Sequence, residues 1–248
     1  MFAPEASGEA THRPTDFTLT RWTLVLRAGT APASTDGAAA LAWLCERYWY
    51  PLYALARRYG RDPAAAQDST QEFFLGLIEQ AKLVQADPER GRFRNWLRKC
   101  FENHLKQEDA RQRTVKRGGR HPHFSLDALT AEERYRLEPR DPRTPEASFD
   151  EAWITALTEA ALAELEAGYT RLGKADLFRE LRPFLTGEQG SYADLGARIG
   201  QSTNTARVTV HRLRQRYHEL YQAELAQTVG SEQELAEEQR HLHRVLFN

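Results

Sequence analysis

Large apolar residues recur every three to four positions through most of this chain, and no stretch sustains the two-residue alternation of a strand. From Ala38 to Tyr59 the stripe is Leu41, Leu44, Cys45, Tyr48, Trp49, Leu52, Leu55, Ala56 and Tyr59, a run of aromatics that predicts a core helix, with Pro51 as a place for a kink. A second helix is predicted from about Ala64 to Gln80, with Phe73, Phe74, Leu77 and Ile78 on its apolar side; Asp62 can cap it and Pro63 suits its first position. A third runs from Phe93 to Arg113 on the stripe Phe93, Trp96, Leu97, Cys100, Phe101, His104 and Leu105. Its remainder, Arg94, Asn95, Arg98, Lys99, Asn103, Lys106 and Gln107, is expected to be exposed. Helical periodicity returns over Phe149–Leu165 and Lys174–Leu185, and again in the tail after Ser231, which forms a capping box with Glu234.

The sharpest local pattern lies at residues 191–220. Ser191 and Asp194 fit a capping box, Gly200 suits the left-handed residue that ends a helix, and Ser202 is placed to cap the next one. In that second helix Ala206, Val210, Leu213, Tyr217 and Leu220 make one buried stripe, leaving Thr203, Asn204, Arg207, Val208, His211, Arg212 and Arg214 outside. Two capped helices, a tight turn and a cationic outer face are the helix-turn-helix pattern, whose second helix enters the DNA major groove. The plain alternative is a helical hairpin with a solvated basic face.

Between the helical stretches, residues 114–147 hold Gly118-Gly119 and the prolines 122, 139, 142 and 145, the composition of a linker, interrupted by a possible short helix from Leu126 to Leu137. The predicted fold is therefore all-α: two helical domains joined by a flexible Pro/Gly-rich linker. The boundaries read as an N-terminal extension, 1–37, whose first 16 residues are expected to be disordered and whose residues 17–28 could form a short helix; a helical domain, 38–113; the linker, 114–147; the helix-turn-helix domain, 148–226; and an acidic helical extension, 227–248.

The formal net charge is −1 over 248 residues, which excludes a general polyanion binder. The balance is local: residues 90–120 carry 11 Lys and Arg against 3 Asp and Glu, whereas residues 221–248 carry 5 Glu against 2 Arg. Such a protein is expected to bind DNA weakly unless a partner brings it there. Cys45 and Cys100 lie in apolar stripes without a CxxC partner, so two buried thiols in a reducing compartment are expected. No 18-residue apolar run or signal pattern occurs, and a cytoplasmic protein without membrane contact is the default expectation.

Three segments together resemble a known family. Asp68–Leu77 (DSTQEFFLGL), the Phe93 helix (FRNWLRKCFENHL) with Trp96, Leu97 and Asn103 in register, and Tyr192–Arg214 (YADLGARIGQSTNTARVTVHRLR) resemble, in that order, bacterial RNA polymerase sigma factors of the extracytoplasmic-function type. The likeness covers roughly residues 38–113, similar to sigma region 2, and 150–226, similar to sigma region 4. The aromatic run LCERYWYPLYALARRYG and the strings GRFR, KRGG and VTVHRLRQRY are similar to a planctomycete-like subgroup. TRLGKADLFRELRPFL departs from the family pattern, and the acidic tail lies outside it; that tail could dock on polymerase, cover the basic helices or, the favoured expectation, simply cap the domain.

What the resemblance implies is direction of core RNA polymerase to promoters. The clamp coiled coil of the polymerase's largest subunit would be held by Asp68, Gln71 and Glu72, a carboxylate–amide face suited to arginine on a partner helix. The −10 element would be met by Arg92, Arg94, Arg98, Lys99, Asn103 and Lys106, with an unstacked base held in the preceding loop, about 81–92. Trp96 could stack on a base, although its spacing favours the core. The −35 element would be read by Thr203, Asn204, Arg207, His211 and Arg212, with Arg214 toward phosphate; Arg207 suits guanine O6 and N7. An anti-sigma protein is a further conceivable partner, and the free protein is expected to be a monomer.

A stand-alone helix-turn-helix regulator with a sensing or dimerising N-terminal domain is the alternative; it would bind DNA alone, as a dimer on a near-palindrome. No phosphate-cradling loop, nucleophile elbow or paired catalytic acids are seen, and the His121-Pro122-His123 cluster, which with His104 could suggest a metal, lacks carboxylate or Cys partners at ligand spacing in its linker context. No enzyme, metal or cofactor is expected.

Overall fold

The computed structural model describes residues 34–79, 83, 86, 92–114, 128–137, 144–185, 190–229 and 231–247. The expected helix at 17–28, the His121/His123 pair, and most of the linker and of the loop at 81–92 lie outside them. Every regular element among the described residues is helical. In chain order these are α1 (Thr35–Arg58), α2 (Pro63–Glu79), α3 (Phe93–Thr114), α4 (Ala128–Leu137), α5 (Pro145–Arg171), α6 (Ala175–Leu181) with a 3-10 turn over Arg182–Phe184, α7 (Tyr192–Arg198), α8 (Thr203–Ala226) and α9 (Glu232–Phe247).

The helix starts follow from side-chain caps that satisfy otherwise orphaned amides. Ser34 Oγ accepts from Gly37 N at 3.0 Å, Asp62 Oδ1 from Ala65 N at 2.8 Å, and Thr144 Oγ1 from Ala147 N at 3.3 Å. Ser231 Oγ accepts from Glu234 N at 3.2 Å, as the sequence predicts. The α1–α2 turn passes through Gly60 at φ +86°, a conformation that a side chain would strain.

Two apolar cores result. The first gathers α1, α2 and α3 around Tyr48, Leu52, Tyr53, Phe73, Leu97 and Phe101. It also takes in the first half of α5, through Phe149, Ala152, Trp153, Ile154 and Leu157, together with Leu225 of α8 and Leu242 of α9. Tyr48 is its pivot, stacked on Trp153 at a centroid distance of 6.4 Å and edge-on to Phe93 at 5.7 Å, so α1, α3 and α5 meet through aromatic faces. The second core, beneath the helix-turn-helix, is Leu165, Phe178, Leu181, Phe184, Leu195, Ala206, Val210 and Leu213.

Helices α5 and α8 therefore each enter both cores, α5 from Phe149 to Leu165 and α8 from Ala206 to Leu225. Residue 148, the expected start of the second domain, lies inside α5. Helical periodicity identifies an apolar face but not the body it faces.

Candidate polymerase and nucleic-acid interface

Geometry of the helix-turn-helix follows from its caps. Ser191 Oγ accepts from Ala193 N at 3.2 Å and Asp194 N at 3.4 Å, Gly200 adopts φ +67°, and Ser202 Oγ accepts from Thr205 N at 3.2 Å. Gly196 permits the close approach of the turn: a Cβ there would lie 2.7 Å from the Gln201 carbonyl oxygen. Ala206, Val210 and Leu213 are buried, with Tyr217 and Leu220 half-buried behind them.

On the opposite face Thr203, Asn204, Arg207, His211 and Arg212 are exposed along the first three turns of α8. The Arg207 guanidinium lies 5.6 Å from the centroid of the Tyr192 ring, so α7 supports it from the side. Val208, 42% exposed, adds an apolar patch beside it. Arg214, itself exposed, reaches back across the surface: Nε and Nη2 donate to the Phe184 carbonyl at 3.0 and 2.8 Å, tying α8 to the 3-10 turn.

On α2, Asp68 and Glu72 are exposed and Gln71 is half-buried, all on one side of the helix as their spacing requires. The end of α3 approaches this face, with Arg111 Nη1 4.0 Å from Glu72 Oε1. Behind it Glu108 accepts from Ser69 Oγ at 2.7 Å and lies 3.5 Å from Arg61 Nη2. Burial pushes the Glu108 carboxyl up from its ordinary value; Ser69 and Arg61 oppose that, while Glu72 and Asp109 add to it. Glu72, His104 and Glu108 bring ligand-type atoms within 4.8 Å of one another. Arg61 already supplies positive charge to Glu108, so these groups form an ion-pair network.

Along α3 the six expected DNA contacts divide. Lys99, Asn103 and Lys106 are exposed and fall at i, i+4 and i+7, one continuous strip that Asn95 extends by a turn. Arg98 is drawn to Glu102 at 2.6 Å and Glu146 at 3.5 Å. Trp96 is half-buried and tilted against Phe93 at 5.6 Å, consistent with the core role its spacing favours.

Arg94 corrects the expectation that it lies on the exposed face, for it is 2% exposed. Its Nη1 pairs with Asp150 of α5, its Nε donates to Glu238 of α9, and its guanidinium lies 4.9 Å from the Trp153 ring centroid. Burial works to lower its pKa, but the Glu238 hydrogen bond and the Asp150 and Glu238 charges outweigh burial and raise it, so the group stays cationic. Arg92 Nε pairs with the other Glu238 oxygen at 2.7 Å. The acidic tail thus ends on the basic helix, and Asp150 and Glu238 are functional candidates that the sequence reading missed.

Residues 44–114 match the family model for sigma-70 region 2. No curated protein and no solved structure matches the chain. The match spans α1 from Leu44 through α2 and α3, and it supports a sigma factor of the sigma-70 family, with roles in RNA polymerase binding, DNA binding and transcription initiation. Among the described residues no helix is long and apolar enough to cross a membrane.

Proposed function

We propose that this protein is a sigma factor of the extracytoplasmic-function type, in or near the planctomycete-like subgroup, that brings core RNA polymerase to its own class of promoters. Asp68, Gln71 and Glu72 on α2 grip the clamp coiled coil of the largest subunit. The strip on α3, Lys99, Asn103 and Lys106 with Arg92 and Arg98 at its start, holds the opened −10 region, while Arg94 is buried against Asp150 and Glu238. Thr203, Asn204, Arg207, His211 and Arg212 read the −35 groove, and Arg214 braces that reader. Residues 38–113 and 148–226 supply the two working surfaces, joined through the shared helices α5 and α8. The observation that supports this reading best is the combination of a region 2 match over 44–114 with a capped helix-turn-helix whose exposed face carries arginine, histidine and asparagine.

Mechanistically, the two surfaces divide affinity from specificity. Cations on α3 neutralise phosphate whatever the sequence, whereas Arg207 and Asn204 present forks that match guanine and adenine edges. Strand separation lowers the cost of taking a base out of the stack, so α3 works after polymerase has begun to open the duplex.

Gel filtration of the full chain with core polymerase tests the reading. Co-elution, loss of co-elution in Asp68→Ala/Glu72→Ala, and a shift of asymmetric promoter DNA only when polymerase is present are the expected results. A dimer that shifts near-palindromic DNA without polymerase would instead identify a stand-alone regulator.

A further inference from the structure

The tail helix α9 buries an unusual stripe. Leu235, Glu238 and Leu242 share one side of the helix, at i, i+3 and i+7. Leu242 is 2% exposed, as an apolar anchor should be, but Glu238 between the two leucines is 1% exposed. Its carboxylate bridges two guanidinia, Arg94 Nε through one oxygen and Arg92 Nε through the other. Around it His241 Nε2 sits 2.9 Å from Asp150 Oδ2, and Glu237 lies 3.8 Å from Arg92.

A buried ion pair carries a desolvation penalty that a leucine in the same place would not, so it is a poor device for simply fastening a helix. It does make the contact exchangeable: whatever replaces Glu238 must be an anion with paired acceptor oxygens, because leaving the guanidinia buried and unpaired is costly. Arg94 is preorganised for such an exchange. Asp150 and the Trp153 face hold it from α5, so removing α9 would open its Nε edge without releasing the group.

The surroundings indicate which anion. Arg92, Asn95, Lys99, Asn103 and Lys106 follow at spacings of 3, 4, 4 and 3, so Arg92, on one side of Glu238, is the first step of a polar and cationic track along α3, while Arg94, on the other side, is backed by α5. A track of this kind matches a phosphodiester backbone better than an isolated carboxylate.

We propose that Arg92 and Arg94 form a phosphate site for single-stranded DNA that Glu238 of the chain's own tail occupies until DNA displaces α9. This rests on the reading of α3 as a DNA-facing helix. It adds that the tail masks the start of that surface in the free protein. The tail would then keep the factor off DNA until polymerase presents melted promoter at high local concentration.

The test uses the full-length protein and a fluorescent mixed-sequence single-stranded deoxyoligonucleotide, without polymerase. Glu238→Gln removes the charge and keeps the shape. It should bind about 3- to 10-fold tighter than the unaltered chain, with salt dependence steeper by about one phosphate contact. Glu232→Gln makes the same charge change on an exposed residue of α9 and should leave affinity nearly unchanged. In the unaltered protein, saturation with oligonucleotide should speed amide exchange across 232–242, a measurement that needs no variant to fold. Equal affinity of Glu238→Gln and the unaltered protein, equal gains from both variants, or unchanged protection of α9 at saturation would each overturn the proposal. Those outcomes leave polymerase co-elution untouched, so failure here and failure of the sigma-factor reading are separable.

Discussion

The Arg214 guanidinium and the Phe184 carbonyl, thirty residues apart, are joined by two hydrogen bonds, from Nε at 3.0 Å and from Nη2 at 2.8 Å. The 3-10 turn that ends the α6 segment is thereby fixed against the middle of α8. Arg214→Ala should lower stability by about 1–2 kcal/mol, because the carbonyl loses a charged donor. Arg214→Lys should recover only part of it, since an ammonium cannot reproduce the fork. Denaturant unfolding monitored by circular dichroism checks both.

Arg207 has a different task, and its loss should leave stability within about 0.5 kcal/mol, as for an exposed helix position. Arg207→Ala should weaken −35 recognition by about 1–3 kcal/mol and relax preference at one base pair. Selection from a promoter library with polymerase present measures this, and an unchanged preference would remove Arg207 from the reading face.

Gly196 should tolerate no side chain, given the 2.7 Å separation a Cβ would have from the Gln201 carbonyl. Gly196→Ala should cost about 1–3 kcal/mol, as overpacking does, and should weaken −35 binding by shifting α7 against α8. Thermal unfolding together with promoter affinity provides the check.

Cys45 offers a pH-dependent readout of the first core. Burial, with a smaller contribution from the Glu46 charge, pushes its thiol up to about 11. A folded-state value above the unfolded one, ordinarily about 8.5, means that its contribution to stability is present at low pH and is lost as pH rises from about 8.5 toward 11. At pH 8 the thiolate fraction should be on the order of a hundredfold below that of an unhindered thiol, and alkylation correspondingly slow. Mass-spectrometric alkylation kinetics at Cys45, native against denatured, measures the difference; equal rates would contradict the packing of α1.

Trp153 is fully buried and carries both the Tyr48 stack and the Arg94 contact. Trp153→Ala should destabilise the fold by about 3–5 kcal/mol and accelerate exchange in α3 and α9 together, since both depend on the platform it forms.

What the sequence revealed, and what it hid, divides along chain distance. Caps at Ser191, Ser202 and Ser231, the left-handed Gly200 and the Ala206–Val210–Leu213 stripe are local, set by residues within one or two turns of each other, and the structure has them. Arg94 is the opposite case. On the periodicity of α3 it falls among the polar positions, and nothing nearby indicates burial. Its carboxylate partners lie 56 and 144 residues downstream, at Asp150 and Glu238. Arg214 faces out by the same local rule and is claimed by a carbonyl 30 residues upstream. A long polar side chain takes its place from whatever the tertiary fold brings near it, and helical phase alone carries no information about that.

In vitro transcription from a randomised promoter pool, with core polymerase and with or without this chain, tests the central claim most directly. A sigma factor should produce start sites that appear only when the chain is added and share two elements at fixed spacing, with Arg207→Ala altering the upstream one. Identical start sites with and without the chain would contradict it.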